Sequence, residues 1–205
     1  MLDKAEVEFF IEFMEKNDVN LDVLDFNKNS LLIKAQAIPG CKNPHTKKFS
    51  KAELEDKAVV AVEYLLKRGA DINYQNKKNG ITALLSASHW GYSKVAAVLL
   101  KYGANPDLGS DSLGFVTNPL LSATYKNKKE IVHLLISHGA DPLITKKYSA
   151  ITTGFKLSEE QEEELNRAHL IYKFIYVRRM EAHLGRKTVL SQTSDLVFDE
   201  LLNLI

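Results

Sequence analysis

The sequence has little of what marks an exported protein or an enzyme. Cysteine occurs once, as Cys41, so no intramolecular disulfide can form, and a lone thiol suits a reducing compartment. The cytosol is therefore the expected location. Charge of one sign is scarce, because 27 Lys and Arg nearly cancel 26 Asp and Glu. That balance excludes the strong overall positive field of a non-specific nucleic-acid binder, though it leaves room for a local basic patch. No apolar run reaches the roughly 18 residues of a membrane span. The start, Met1-Leu2-Asp3-Lys4-Ala5-Glu6, is mixed in charge and soon acidic, so neither a secretory signal nor a membrane anchor is expected.

Catalytic patterns are missing as well. There is no Gly-rich phosphate loop, no Gly-x-Ser-x-Gly elbow and no His-Glu-x-x-His helix, so the chain is expected not to be an enzyme and to carry no cofactor or metal. Cys41 and His45 have the spacing of half a metal site or of a nucleophile and its base, but no second Cys pair completes it. A free surface thiol is the expectation. His89, His133, His138, His169 and His183 form no pair at the helical spacing of three or four. The run from Glu159 to Glu164 lacks an opposed partner and reads as a solvated helix face.

What is present is a folded, repetitive chain. With 205 residues, 45% hydrophobic and 26% charged, it can bury a sizeable core. Three segments recur: Leu65-Leu66-Lys67-Arg68-Gly69-Ala70-Asp71, Leu99-Leu100-Lys101-Tyr102-Gly103-Ala104-Asn105 and Leu135-Ile136-Ser137-His138-Gly139-Ala140-Asp141, with glycines 34 and 36 residues apart. About 15 residues before the last two lie Thr82-Ala83-Leu84-Leu85-Ser86-Ala87 and Asn118-Pro119-Leu120-Leu121-Ser122-Ala123. Thr82 and Asn118 can accept hydrogen bonds from the free amides of a first helical turn, and Pro119 suits the first helical position. Gly91 or Asn127 can supply a left-handed turn into a second helix, whose core stripe is Val95, Val98 and Leu99 or Ile131, Leu134 and Leu135. The recurring glycines then end that helix.

In this order of helix, helix, glycine turn and finger the sequence resembles the ankyrin family, whose repeat runs Thr-Pro-Leu-His, two alanines, Gly-His, a Val/Leu stripe and Gly-Ala-Asp. The resemblance covers about residues 18 to 141, with Asp18-Val19-Asn20 and Ser30-Leu31-Leu32-Ile33-Lys34-Ala35 echoing the later repeats. Leu85 and Leu121 stand where the family usually has histidine. The finger between Asp107 and Asn118 is a few residues long. Ala35 lies 30 residues before Leu65, whereas Ala87 lies 12 before Leu99, so the first full repeat carries an insertion of about 18 residues. Its loop residues, Pro39 to His45, precede Ser50-Lys51-Ala52-Glu53, a capping box that opens an extended second helix.

The implied fold is all-α, a solenoid of helix-turn-helix repeats with β-hairpin-like fingers and helical caps. Residues 1–184 form the expected repeat domain: a cap helix within 1–20, repeats at about 21–73 with the insertion at 38–50, at 74–107 and at 108–141, and an irregular repeat at 142–184. In that last repeat Ser149 to Thr153 would form a weak first helix, and Ser158-Glu159-Glu160-Gln161 would open a long second one running to His183. Residues 185–205 read as an amphipathic helix or tail that covers the last repeat, docks on a partner or acts as a recognition signal.

The resemblance implies a monomeric protein-interaction module (adaptor, scaffold or inhibitor) that binds a protein on a concave surface. The counterparts of the family's contact positions are Lys78, Asn79, Ile81, His89, Trp90, Phe115, Tyr125 and Lys126. Trp90 is the chain's only tryptophan, and it follows a helix whose buried pattern is filled by Leu84, Leu85 and Ala87. It reads either as an interface anchor or as packing against a neighbour such as Tyr125. Phe115 divides likewise between a binding tip and a staple for its own finger. Lys77, Lys78, Lys126, Lys128 and Lys129 could form a basic stripe for an acidic partner or be merely solubilising. Two other readings stay open. One is a translocated bacterial effector, secreted into a host cell, which a distinct fold after Asp141 would mark. The weaker is an RNA-binding solenoid, which would need the lysines and Trp90 to converge on one groove.

Overall fold

The computed structural model describes residues 12, 16, 24–25, 27–36, 50–112, 115–145 and 157–184. In chain order they form α1 (Leu31–Gln36), α2 (Lys51–Lys67), α3 (Ala83–Trp90), α4 (Ser93–Lys101), strands β1 (Ser110–Ser112) and β2 (Phe115–Thr117), α5 (Pro119–Tyr125), α6 (Lys129–Ser137) and α7 (Glu159–Leu184). A helical turn occupies 142–145. Most of the expected cap helix within 1–20, the insertion loop, the weak helix at 149–153 and the 185–205 tail lie outside the described residues.

Two layers result from the repeat chemistry. The short first helices α1, α3 and α5 pack side by side, and α2, α4 and α6 form a second layer behind them. Each first helix begins the same way: Ile33 N–H reaches Ser30 Oγ at 3.4 Å, Leu85 N–H reaches Thr82 Oγ1 at 3.0 Å, and Leu121 N–H reaches Asn118 Oδ1 at 2.8 Å. Such a cap contributes about 1 kcal/mol. Gly91 (φ 74°) and Asn127 (φ 52°) make the left-handed turns into α4 and α6.

The second helices also end alike. Ala70, Ala104 and Ala140 N–H donate to the carbonyls of Leu65, Leu99 and Leu135 at 3.0, 3.0 and 2.9 Å. Between each pair sits a glycine, at φ 88°, 89° and 91°, where a side chain would be strained. No Cβ clash adds to this at Gly69 or Gly103.

The core lies between the layers. Leu84, Leu99, Leu121, Ile131 and Leu135 are essentially fully buried, and Ala58, Ala87, Ala96 and Ala123 let neighbouring helices approach closely. Each such large apolar side chain contributes about 1.5–3 kcal/mol. The long α7 packs on α6 and α5. Its inward stripe is Gln161, Glu164, Leu165, Ala168 and Ile171, a helical spacing, so it closes the stack as a third kind of neighbour.

The fingers are joined by a polar ladder. Asp71 Oδ1 accepts from Asn73 N–H (3.0 Å), and Asn73 Oδ1 accepts from Asn105 N–H of the next repeat (2.9 Å). Asn105 Oδ1 in turn accepts from Asp107 N–H (3.0 Å), Asp107 Oδ1 from Asp141 N–H (2.8 Å) and Asp141 Oδ1 from Leu143 N–H (2.8 Å). The lengthened finger folds into an antiparallel hairpin, with Ser110 opposite Thr117 and Ser112 opposite Phe115.

Candidate interaction surface

The exposed tryptophan stands on a turn fixed from both sides. In α3, Leu84, Leu85, Ala87 and Ser88 face inward, which leaves Trp90 outward and 58% exposed. The extension of α2 made by the insertion reaches that turn. Ser50 Oγ accepts from Glu53 N–H at 3.2 Å while Ser50 N–H donates to Glu53 Oε2 at 2.8 Å, the reciprocal capping box that starts α2 early. One step further, Lys51 Nζ donates to Trp90 O (3.2 Å) and lies 5.0 Å from the ring centre of buried Tyr92. A cation at the last carbonyls of α3 is favourable against the helix dipole.

Glu55 completes the clamp. Its carboxylate, 7% exposed, accepts from Lys94 N–H at 2.8 Å, placing negative charge on the N-terminus of α4, which has no acidic residue in its own first turn. Asp56 pairs with Lys94 Nζ at 2.5 Å. The three residues 51, 55 and 56 therefore hold residues 90–94 of the following repeat.

On the other side of Trp90 lies α5. His89 Nδ1 and Ser122 Oγ are 3.1 Å apart, bridging α3 and α5, and the His89 and Trp90 rings meet edge to face with centroids 5.1 Å apart. Burial pushes the His89 imidazole below its ordinary proton affinity, and the Lys126 and Lys128 cations push it further down. Lys126 Nζ stands 5.4 Å over the Tyr125 ring. The Lys128 stem lies across Gly91: a Cβ there would stand 2.8 Å from its Cδ and Cε. Gln161 of α7 fixes this turn from behind, its Nε2 reaching Thr124 O (3.1 Å), Tyr125 O (3.2 Å) and Asn127 Oδ1 (2.8 Å).

The eight residues mapped from the sequence divide into two groups. His89, Trp90, Tyr125 and Lys126 come together at the turns after α3 and α5, with Trp90 and Lys126 exposed, His89 half-buried and Tyr125 half-buried against the core. Lys78, Asn79 and Ile81 belong to the second finger, and Phe115 opens β2 in the third. Lys78 is exposed, but Asn79 and Ile81 are half-buried. Asn79 Oδ1 accepts from Ile81 N–H at 3.2 Å, and its carbonyl accepts from the Ser110 hydroxyl. Sequence reasoning missed Lys51, Glu55, Ser122 and Gln161. The capping boxes at Ser50 and Ser158 signalled where their helices begin, but not which repeat they would touch.

Elsewhere the chemistry is sparse. A cavity of about 220 Å³ between the first two fingers, lined by Leu24, Ser30, Leu32, Ala70, Tyr74 and Lys77 among others, is smaller than the roughly 300–1,000 Å³ of small-molecule sites. Among the described residues no cluster of three metal-ligating side chains occurs, and no helix is long and apolar enough to cross a membrane. Cys41 and His45 lie outside the described residues.

Stacked helical hairpins with hydrogen-bonded fingers define the class as a helical-repeat solenoid. Comparison with known proteins gives the family. The model of ankyrin repeats matches residues 52–146 in three copies. An ankyrin repeat protein of Acanthamoeba polyphaga mimivirus is 51% identical over 47 residues, 23% of this chain and 28% of that protein, so the shared segment spans well under two thirds of the relative. Residues 52–146 therefore carry ankyrin repeats. Repeats of this family generally serve as protein-interaction modules and are typically not enzymes.

Proposed function

We propose that the chain is a non-catalytic adaptor, scaffold or inhibitor that binds a protein partner on the concave side formed by its first helices and fingers. The observation that carries this reading is Trp90, 58% exposed on a turn that Lys51 and Glu55 hold in place. A large aromatic on a preordered turn suits an interface anchor, because little conformational freedom is lost on binding. His89, Tyr125 and Lys126 surround it, and Lys78, Asn79, Ile81 and Phe115 extend the surface along the fingers. The recurring caps and glycine turns support repeats at about 21–73, 74–107 and 108–141, with 142–184 closing the stack through α7.

The test is affinity capture from cell lysate with the intact chain beside Trp90→Ala, whose fold is checked by circular dichroism. A protein retained by the intact chain and lost by the variant is the expected result. Equal retention would remove Trp90 as an anchor and move attention to the segments flanking the described repeats.

A further inference from the structure

We propose that the Trp90 end of the surface takes an acidic peptide segment of the partner, with Lys126 and Lys128 meeting its carboxylates and the Trp90 indole covering an apolar side chain between them. The inference rests on the protein-binding reading above and adds the chemistry of what is bound.

Local charge carries the argument. Although the chain is close to neutral overall at +1, the turns after α3 and α5 gather Lys51, Lys126 and Lys128 in one place. The carboxylates beside them are already engaged, Glu55 by Lys94 N–H and Asp56 by Lys94 Nζ. Lys34 and Lys94 are paired with aspartates, but neither Lys126 nor Lys128 has a carboxylate within ion-pair distance among the described residues. The Lys128 stem lies against Gly91, the residue after Trp90, Lys126 stands over the neighbouring Tyr125 ring, and both cations act on the half-buried His89 that meets the indole edge to face. Unpaired cations around an exposed apolar ring complement a ligand that alternates acidic and apolar side chains.

A peptide suits the site better than a nucleic acid does. Single-stranded nucleic acid is held by successive bases stacking on several aromatic faces along a continuous basic groove. Among the described residues of this site Trp90 is the one well-exposed aromatic ring, Tyr125 being half-buried against the core. Two unpaired lysines match a pair of carboxylates more closely than a run of phosphates.

Because Trp90 is the only tryptophan, its emission reports on this site alone. The full chain is titrated with a capped peptide of Glu-Glu-Leu repeated four times, with the same peptide carrying Gln for Glu, and with a twelve-residue oligouridylate. The acidic peptide is expected to change Trp90 emission saturably and to bind about tenfold or more tighter than the Gln peptide, a difference that shrinks as salt rises. Lys126→Glu/Lys128→Glu, and the milder Lys126→Ala/Lys128→Ala, should each weaken it, the reversal by about tenfold.

An unchanged emission, equal binding of the Gln peptide, or folded lysine variants that bind as well as the parent would overturn the proposal. Oligouridylate matching the acidic peptide would overturn it in favour of a nucleic-acid site. If a partner is still captured through Trp90 while the acidic peptide leaves emission unchanged, only the acidic-segment inference falls and the interaction module stands.

Discussion

The repeats α3/α4 and α5/α6 have nearly the same interior and different outsides. In both, a Ser/Thr/Asn-type cap starts the first helix, a left-handed residue turns the chain and a glycine ends the second helix. Their helix ends, however, are satisfied from opposite directions. The carbonyls at the end of α3 receive Lys51 from the preceding helix, whereas those at the end of α5 receive Gln161 from the following one. The N-terminus of α4 borrows the Glu55 carboxylate, while α6 has Glu130 in its own first turn. The interior is set by the repeat, and the periphery by what each neighbour carries. The departures from the repeat, an elongated α2 and a long α7, are therefore what hold the two turns of the candidate surface.

If the interiors are equivalent, Leu99→Ala and Leu135→Ala should each cost about 2–5 kcal/mol in urea unfolding, and by similar amounts. A large inequality would break the comparison. Gln161→Ala tests the C-terminal clamp: it strips the contacts to Thr124 O and Tyr125 O and should cost about 1–3 kcal/mol, with faster amide exchange at the turn after α5.

Removing the borrowed cap by Glu55→Ala should cost about 1 kcal/mol, more than the few tenths expected for Glu130→Ala, whose charge acts through the helix dipole alone. Thermal denaturation of the two variants side by side reads that difference. If Glu130→Ala cost as much, the trans cap would not be special.

The smallest effect is a pH slope in the finger ladder. Burial lifts the Asp107 carboxyl above its ordinary value, the Asp141 N–H partly opposes this, and the Asp141 charge adds to the rise. The native state thus holds the proton more tightly than the unfolded chain does. Its contribution is fully present below about pH 4 and is lost as pH rises through the folded value. Asp107→Asn keeps an oxygen for Asp141 N–H and should flatten that slope without lowering stability at neutral pH.

Local features were the ones legible in the sequence. Caps at Thr82 and Asn118 bond three residues ahead, and the glycines at 69, 103 and 139 end helices whose carbonyls lie within one turn, so composition at fixed offsets was enough to place them. The clamp was not legible, because Lys51 and Glu55 reach partners 39 residues away and Gln161 reaches 34 to 37 residues back. A capping box says where a helix begins and nothing about which turn its first residues touch. The same gap applies to the fingers: Asn79 Oδ1 accepts from Ile81 N–H and its carbonyl from the Ser110 hydroxyl of the next finger, a contact 31 residues away that fixed offsets do not reveal.

Hydrogen–deuterium exchange of the full chain with and without a captured protein partner tests most directly whether the first-helix side is the interaction surface. Protection gained at the amides of the α3 and α5 ends and the turns that follow them, with α2, α4 and α6 unchanged on their outer faces, is the predicted result. Protection confined to α2, α4 and α6 would contradict it.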